Sequence, residues 1–391
     1  MEQSLKKYVT TWGNAISIAD RKPENYAKDL TLRYPIRPMF DGEKIKITLD
    51  NFCGTEPVTI SCVYVAKSTD SAREIAVETS TAVTFDNGSE QITIPAGEAV
   101  VSDAVDFKVR RGQDISISLY LEEFTQMRSA VLITGPLSKG YYSVGNYAQS
   151  GSLAMDVTRN TNWFYFLSNV EIYTACENRA VVCYGDSITS QAWPDYLTLR
   201  LFRDEIEHTA IVRRAASGTR ILRQYDNITY DSYGLKGSVR FPREARVSGA
   251  DTVIIQHGIN DIIHPVGVEV NPFRPWSDLP TADELIQGLR QYIVQAKEYG
   301  LDVYMGTLLP IYGWRTYEPF REELRCAVNE WIRSTSEIKG CIDFDRALCD
   351  SLDPRAFAQG YDSGDHLHPS GTAYERMAEE VPQSLLDHKE K

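Results

Sequence analysis

Between residues 176 and 391 the chain repeats one pattern: a short apolar run, a turn, then a helix-like stretch. The apolar runs fall at 180–184, 209–213, 251–257, 302–308 and 341–344. Runs of this length suit strands buried on both faces, and strands that alternate with helices build a parallel sheet covered by helices. The helices have their own signals. Thr281 and Glu284 form a capping box, Leu285, Ile286, Leu289, Tyr292, Ile293 and Ala296 make an apolar stripe, and Gly300 ends it. A second helix is expected from about Pro319 to Ser336, with Leu324, Val328, Trp331 and Ile332 on its core face. A third should start near Ser370 and bury Tyr374, Met377, Ala378 and Val381. The expected fold is α/β: a doubly wound parallel sheet, flavodoxin-like in strand order.

The first 172 residues read differently. Ile45–Leu49, Val58–Val65 and Ile115–Leu121 alternate in polarity, and turn-rich stretches such as Asn87-Gly88-Ser89 and Pro95-Ala96-Gly97 separate them. Many short strands with regular turns predict an all-β sandwich, jelly-roll-like, as an accessory domain over 1–172, ahead of the α/β domain over 176–391. A chain of 391 residues has room for both cores.

A net charge of −13 argues against partners whose phosphates demand basic patches, so neither nucleic acid nor an anionic membrane surface is expected as a partner. Seven scattered cysteines without a CxxC pair fit a reduced protein rather than a disulfide framework. No basic-then-apolar segment opens the chain, so the expected location is cytoplasmic.

Ser187, in Gly185-Asp186-Ser187-Ile188-Thr189, follows the first apolar run and stands where open α/β sheets place their chemistry. By itself it reads equally as a helix N-cap. Asp365 and His368 are three residues apart, so one loop can carry a carboxylate beside an imidazole. Asn260 follows the third run, where a side-chain amide can donate to an oxyanion. Asp365-His366-x-His368 also admits a metal reading, but no matching ligand cluster accompanies it, and neither metal nor cofactor is expected. His257, at a strand end, reads as a satisfied core histidine, Asp186 as a helix-start carboxylate, and Asp261 as a brace for the Asn260 loop.

These residues resemble the SGNH hydrolases, also called GDSL esterases. Gly185-Asp186-Ser187 is similar to the nucleophile block, Ala216-Ser217-Gly218-Thr219 to the second, Gly258-x-Asn260-Asp261 to the third and Asp365-x-x-His368-Pro369 to the last. The resemblance implies a triad of Ser187, His368 and Asp365. It implies an oxyanion hole from the backbone N–H groups of Ser187 and Gly218 and the Asn260 amide. The chain departs from many relatives at Ser190-Gln191, where they carry Asp-Gly, and at Arg214 and Ala216. Within the family it resembles two-domain bacterial esterases of xylan-degradation gene clusters, through Trp12-Gly13, Asn51-Phe52-x-Gly54 and Tyr361–Pro369.

The implied activity is a serine esterase that removes small acyl groups, acetyl above all, from carbohydrate. Its partner would be a small-molecule or oligosaccharide ester. A lipid or aryl esterase or a thioesterase of the same fold is one alternative; a carbohydrate-binding protein with an inactive hydrolase domain is another. Two loops, His264–Pro280 and Pro310–Pro319, follow strands and should flank Ser187. Their aromatics Phe273, Trp276, Tyr312 and Trp314 are candidates to stack on a sugar ring, and equally candidates for loop packing.

Overall fold

Five strands in the C-terminal half form one sheet in the computed structural model: β1 (Arg179–Gly185), β2 (Thr209–Ala215), β3 (Ala250–Gln256), β4 (Asp302–Gly306) and β5 (Gly340–Ile342). Their order is β2-β1-β3-β4-β5, the flavodoxin-like arrangement expected from the alternating pattern. β3 pairs with β4, and β4 with β5, in parallel register. All seven residues of β1, an inner strand, and of β2, at the edge of the sheet, are buried, as strands covered on both faces require. The structure describes residues 5–18, 26–71, 73–154, 158–224, 233–269, 272 and 274–387.

The chain divides into two compact units, Met1–Ala180 with Glu207–Val212, and Val181–Ile206 with Arg213–Lys391. In the second unit the helices are α1 (Ser187–Ser190), α2 (Trp193–Arg203), α3 (Gly237–Glu244), α4 (Ile259–Ile263), α5 (Ala282–Glu298), α6 (Pro319–Ser334), α7 (Phe344–Leu348), α8 (Gly371–Glu380) and α9 (Gln383–Leu386). The capping box on α5 is formed: Glu284 N–H donates to Thr281 Oγ1 at 3.2 Å and Thr281 N–H to Glu284 Oε2 at 2.8 Å. The six apolar residues expected on its core face are buried, and Gly300 takes φ +76 just beyond the helix. On α6, Trp331 is half-buried instead of core, with the Arg290 guanidinium 5.5 Å from its ring centroid. Ser370 caps α8, which buries Tyr374, Met377 and Ala378.

The first unit is antiparallel. One large sheet orders its strands as 6–13, 167–175, 42–50 and 99–101, with 105–109 also on 42–50; the other runs 158–161, 140–144, 30–36, 115–121, 62–67 and 81–83. Ile45, Ile47 and Leu49 are buried, in phase with their alternation. Ile115–Leu121 is buried at every position, because Ser118 Oγ accepts from Arg33 Nε at 2.9 Å and Ser116 Oγ bonds Ser68 Oγ at 2.9 Å. The run Val58–Val65 is not one strand. It breaks at Ser61, so that Val58–Ile60 pairs with Ile92–Ile94 while Cys62–Lys67 pairs with Ile115–Leu121. No helix among the described residues is long and apolar enough to cross a membrane.

Candidate active site

Asp186, not Ser187, caps the short helix α1: its Oδ1 accepts from Ile188 N–H at 3.1 Å. Ser187 is thereby the first helical residue, whose N–H has no partner inside the helix. Gly185 must be glycine, since a Cβ there would lie 2.3 Å from the Gln256 carbonyl oxygen and 2.5 Å from Thr189 Oγ1. The tight junction holds Ser187 at the carboxyl end of β1, 8 % exposed.

His368 Nε2 is 2.9 Å from Ser187 Oγ, and His368 Nδ1 is 2.6 Å from Asp365 Oδ2. Asp365 Oδ1 also accepts from the backbone N–H of Leu367 (3.0 Å) and His368 (2.8 Å) and from Ser363 Oγ (3.2 Å). Burial raises the Asp365 pKa, but the His368 ring, those N–H donors and the His368 charge outweigh it, leaving the carboxyl below its ordinary value. The side chain of Asp365 is 42 % exposed. Proton transfer from a hydroxyl to an imidazole steadied by a carboxylate is what such a chain of bonds can do.

The second and third blocks are tied to the first. Ser190 Oγ bonds Ser217 Oγ at 3.0 Å and donates to the Ser187 carbonyl at 3.2 Å, so the departure at Ser190 is a link between two blocks. Ala216 N–H donates to the Gly185 carbonyl at 3.2 Å. Gly218 has φ +77, a conformation glycine adopts freely. Asn260 is buried on α4 and donates from Nδ2 to the Thr219 carbonyl at 3.0 Å. A primary amide carries two N–H bonds, and this contact uses one of them.

Behind this layer His257 donates from Nε2 to the same Thr219 carbonyl at 3.0 Å, and its Nδ1 lies 3.2 Å from the Tyr292 hydroxyl. Burial, and secondarily the Arg240 charge, push its pKa down to about 3, so it is a neutral core histidine, as expected from its place at a strand end. Asp261 accepts from the backbone N–H of Ile221 (2.7 Å) and Leu222 (3.1 Å), bracing the loop beyond Gly218. Arg220 carries the brace onward, donating to Asp278 Oδ2 at 2.7 Å and to the Asp278 carbonyl at 3.0 Å.

The two histidines of the Asp365–His368 loop serve separate carboxylates: His366 Nδ1 is 2.5 Å from Asp362 Oδ2. Among the described residues no group of three or more His, Cys, Asp or Glu side chains is placed to hold a metal ion. Cys183 is fully buried in β1, and burial pushes its thiol pKa far up, which removes it as a nucleophile.

The loop aromatics divide. Phe273 lies outside the described residues. Trp276 is 56 % exposed, on the turn that Arg220 anchors, with its ring 5.4 Å from that of Phe320. Tyr312 is 43 % exposed between the Tyr317 ring (5.1 Å) and the Arg355 guanidinium (4.6 Å). Trp314 is half-buried beside Arg315, 4.8 Å from its ring centroid. Gly313 packs so closely on His366 that a Cβ would come within 2.8 Å of its Cγ, which sets the 310–319 loop against the loop of His368. Sequence reasoning missed Tyr233. Its ring lies against Gly218, where a Cβ would come 2.0 Å from Tyr233 Cδ1, and no periodicity marks it.

A parallel sheet in flavodoxin-like order, with a serine–histidine–aspartate chain at its carboxyl edge, defines a hydrolase of the SGNH class. The family model described as GDSL-like Lipase/Acylhydrolase matches residues 181–381, and the chain belongs to that family of carboxylic ester hydrolases. Among solved structures it is similar to an acetylxylan esterase from Geobacillus stearothermophilus (18 % identity, 52 % of this chain and 91 % of that one, TM-score 0.40). It is also similar to a GDSL-like lipase from Bacteroides thetaiotaomicron (17 %, 53 % and 87 %, TM-score 0.39). A third is the lipase/acylhydrolase from Enterococcus faecalis (19 %, 55 % and 100 %, TM-score 0.39). No curated protein matches the chain.

Proposed function

We propose that the protein is a serine esterase that removes acetyl groups from carbohydrate, xylan-type oligosaccharides in particular, with Ser187 as nucleophile, His368 as general base and acid, and Asp365 orienting the imidazole. The observation that carries the reading is the continuous chain Ser187 Oγ–His368 Nε2 (2.9 Å) and His368 Nδ1–Asp365 Oδ2 (2.6 Å).

Ser187 Oγ attacks the ester carbonyl while His368 Nε2 takes its proton. The carbonyl oxygen becomes an oxyanion held by the N–H groups of Ser187 and Gly218 and by Asn260 Nδ2. The imidazolium then returns its proton to the sugar oxygen as the carbon–oxygen bond to the alcohol breaks. Water, deprotonated by His368, attacks the acyl-enzyme, and the imidazolium returns that proton to Ser187 Oγ as the bond to the acid breaks. Asp365, below its ordinary pKa, stays anionic beside the imidazolium.

The carbohydrate part of the reading rests on the sequence likeness outside the catalytic blocks and on the exposure of Trp276 and Tyr312. Rates on p-nitrophenyl acetate for wild type and Ser187→Ala test the mechanism; a loss on the order of 10⁴ or more is expected. A Ser187→Ala protein that keeps the wild-type rate refutes it. Release of acetate from acetylated xylooligosaccharide tests the substrate, and faster turnover of octanoyl than acetyl esters would overturn the small-acyl assignment.

A further inference from the structure

We infer that Tyr233, backed by His264, is the wall of the acyl subsite and limits the enzyme to acyl groups of about acetyl size. The inference rests on the triad and oxyanion roles proposed above and adds a residue that sets which esters fit them.

The tetrahedral carbon on Ser187 Oγ has three further substituents. Its oxyanion faces Gly218 N and Asn260 Nδ2. Its leaving oxygen must receive the proton from His368 Nε2, so the alcohol lies toward the 365–368 loop and the 310–319 loop packed on it through Gly313 and His366. The acyl carbon takes the remaining direction, away from His368.

Tyr233 and His264 flank the two proposed oxyanion donors, Tyr233 on Gly218 and His264 one turn past Asn260. The Tyr233 ring covers Gly218 so closely that a Cβ there would come 2.0 Å from Cδ1 and 2.7 Å from Cε1. His264 is one turn beyond Asn260, its N–H donating to the Asn260 carbonyl at 3.3 Å. The rings of Tyr233 and His264 are 5.1 Å apart and tilted by 32°, so each limits the other's movement. Tyr233 is half-buried, as the wall of an open cleft should be. A rigid aromatic pair leaves little depth for a chain, and an extra methylene that meets such a wall is rejected by roughly 10-fold or more.

The test is kcat/KM for p-nitrophenyl acetate, butyrate and octanoate with wild type, Tyr233→Ala and Tyr233→Phe. Wild type should favour acetate over butyrate by on the order of 10-fold or more. Tyr233→Ala should raise the butyrate-to-acetate ratio by about the same factor, while Tyr233→Phe, which keeps the ring, retains the wild-type ratio. If Tyr233→Ala does not fold, His264→Ala opens the same wall from its other side and should shift the ratio in the same direction. An unchanged ratio in a folded Tyr233→Ala or His264→Ala, with wild type still favouring acetate, overturns the wall and leaves the acetyl assignment standing. A wild type that favours octanoate overturns both.

Discussion

Asn260 Nδ2 and His257 Nε2 donate to one oxygen, the Thr219 carbonyl, each at 3.0 Å. That shared acceptor fixes one N–H of the Asn260 amide. In the proposed mechanism the other N–H meets the oxyanion, and a donor oriented before substrate arrives needs no reorganisation as negative charge develops. Replacing Asn260 by Ala should lower kcat on p-nitrophenyl acetate by about 10²–10³ with a much smaller change in KM. Steady-state kinetics on the purified variant check this; an equal change in KM alone would mean that Asn260 holds the ground state only.

Gly218 combines φ +77 with close contact to Tyr233. Gly218→Ala should therefore reduce kcat/KM and stability together, the backbone conformation alone costing about 1–2 kcal/mol. Adding Tyr233→Ala removes the clash but not the backbone strain. The double variant should recover part of the loss, and the coupling is read from a double-mutant cycle of urea unfolding and kcat/KM. Strict additivity would show that the ring does not press on residue 218.

Asp186 is fully buried between β1 and α1. Burial pushes its carboxyl up to about 7 from an ordinary 3.8, with the Asp261 charge adding to the rise and the N–H groups of Ile188 and Gly258 and the Arg240 charge opposing it. The folded state thus holds a proton that the unfolded state releases, and folding stability falls as pH rises from about 4 through about 7. Asp186→Asn keeps an acceptor for Ile188 N–H and removes the titration. The difference in unfolding free energy between the variant and wild type should move in the variant's favour over that interval, by on the order of a few kcal/mol. Urea melts at several pH values decide it; parallel curves would place the Asp186 pKa near its unfolded value.

Trp276 and Tyr312 are both exposed, at 56 % and 43 %, and belong to the two loops that follow β3 and β4. Stacking of a sugar on either ring predicts that Trp276→Ala or Tyr312→Ala raises KM for acetylated xylooligosaccharide about 3- to 10-fold more than KM for p-nitrophenyl acetate. Equal effects on both substrates would reduce these rings to loop packing.

The elements whose pattern is local were legible in the sequence. The α5 capping box depends on Thr281 and Glu284 alone, and the Asp365–His368 pair is closed within one loop. The alternating runs of the C-terminal half gave five strands, each within a few residues of its observed bounds. Val58–Val65 misled because alternation continues through Ser61, whereas its N–H goes to the Tyr120 carbonyl and the chain changes sheet there. Nothing in the neighbours of Ser61 records that partner.

The residue types needed for acyl transfer, and the turns that carry them, were thus fixed by the sequence, since backbone propensity and three-residue spacings act through adjacent groups. Tertiary structure decided what met what. The Ser187–His368 bond joins residues 181 positions apart, and it exists because α8, just after the His368 loop, packs on α2, just after Ser187. The Tyr233 ring on Gly218 and the raised Asp186 pKa have the same origin, because close packing and desolvation belong to the folded interior and not to any short stretch of chain.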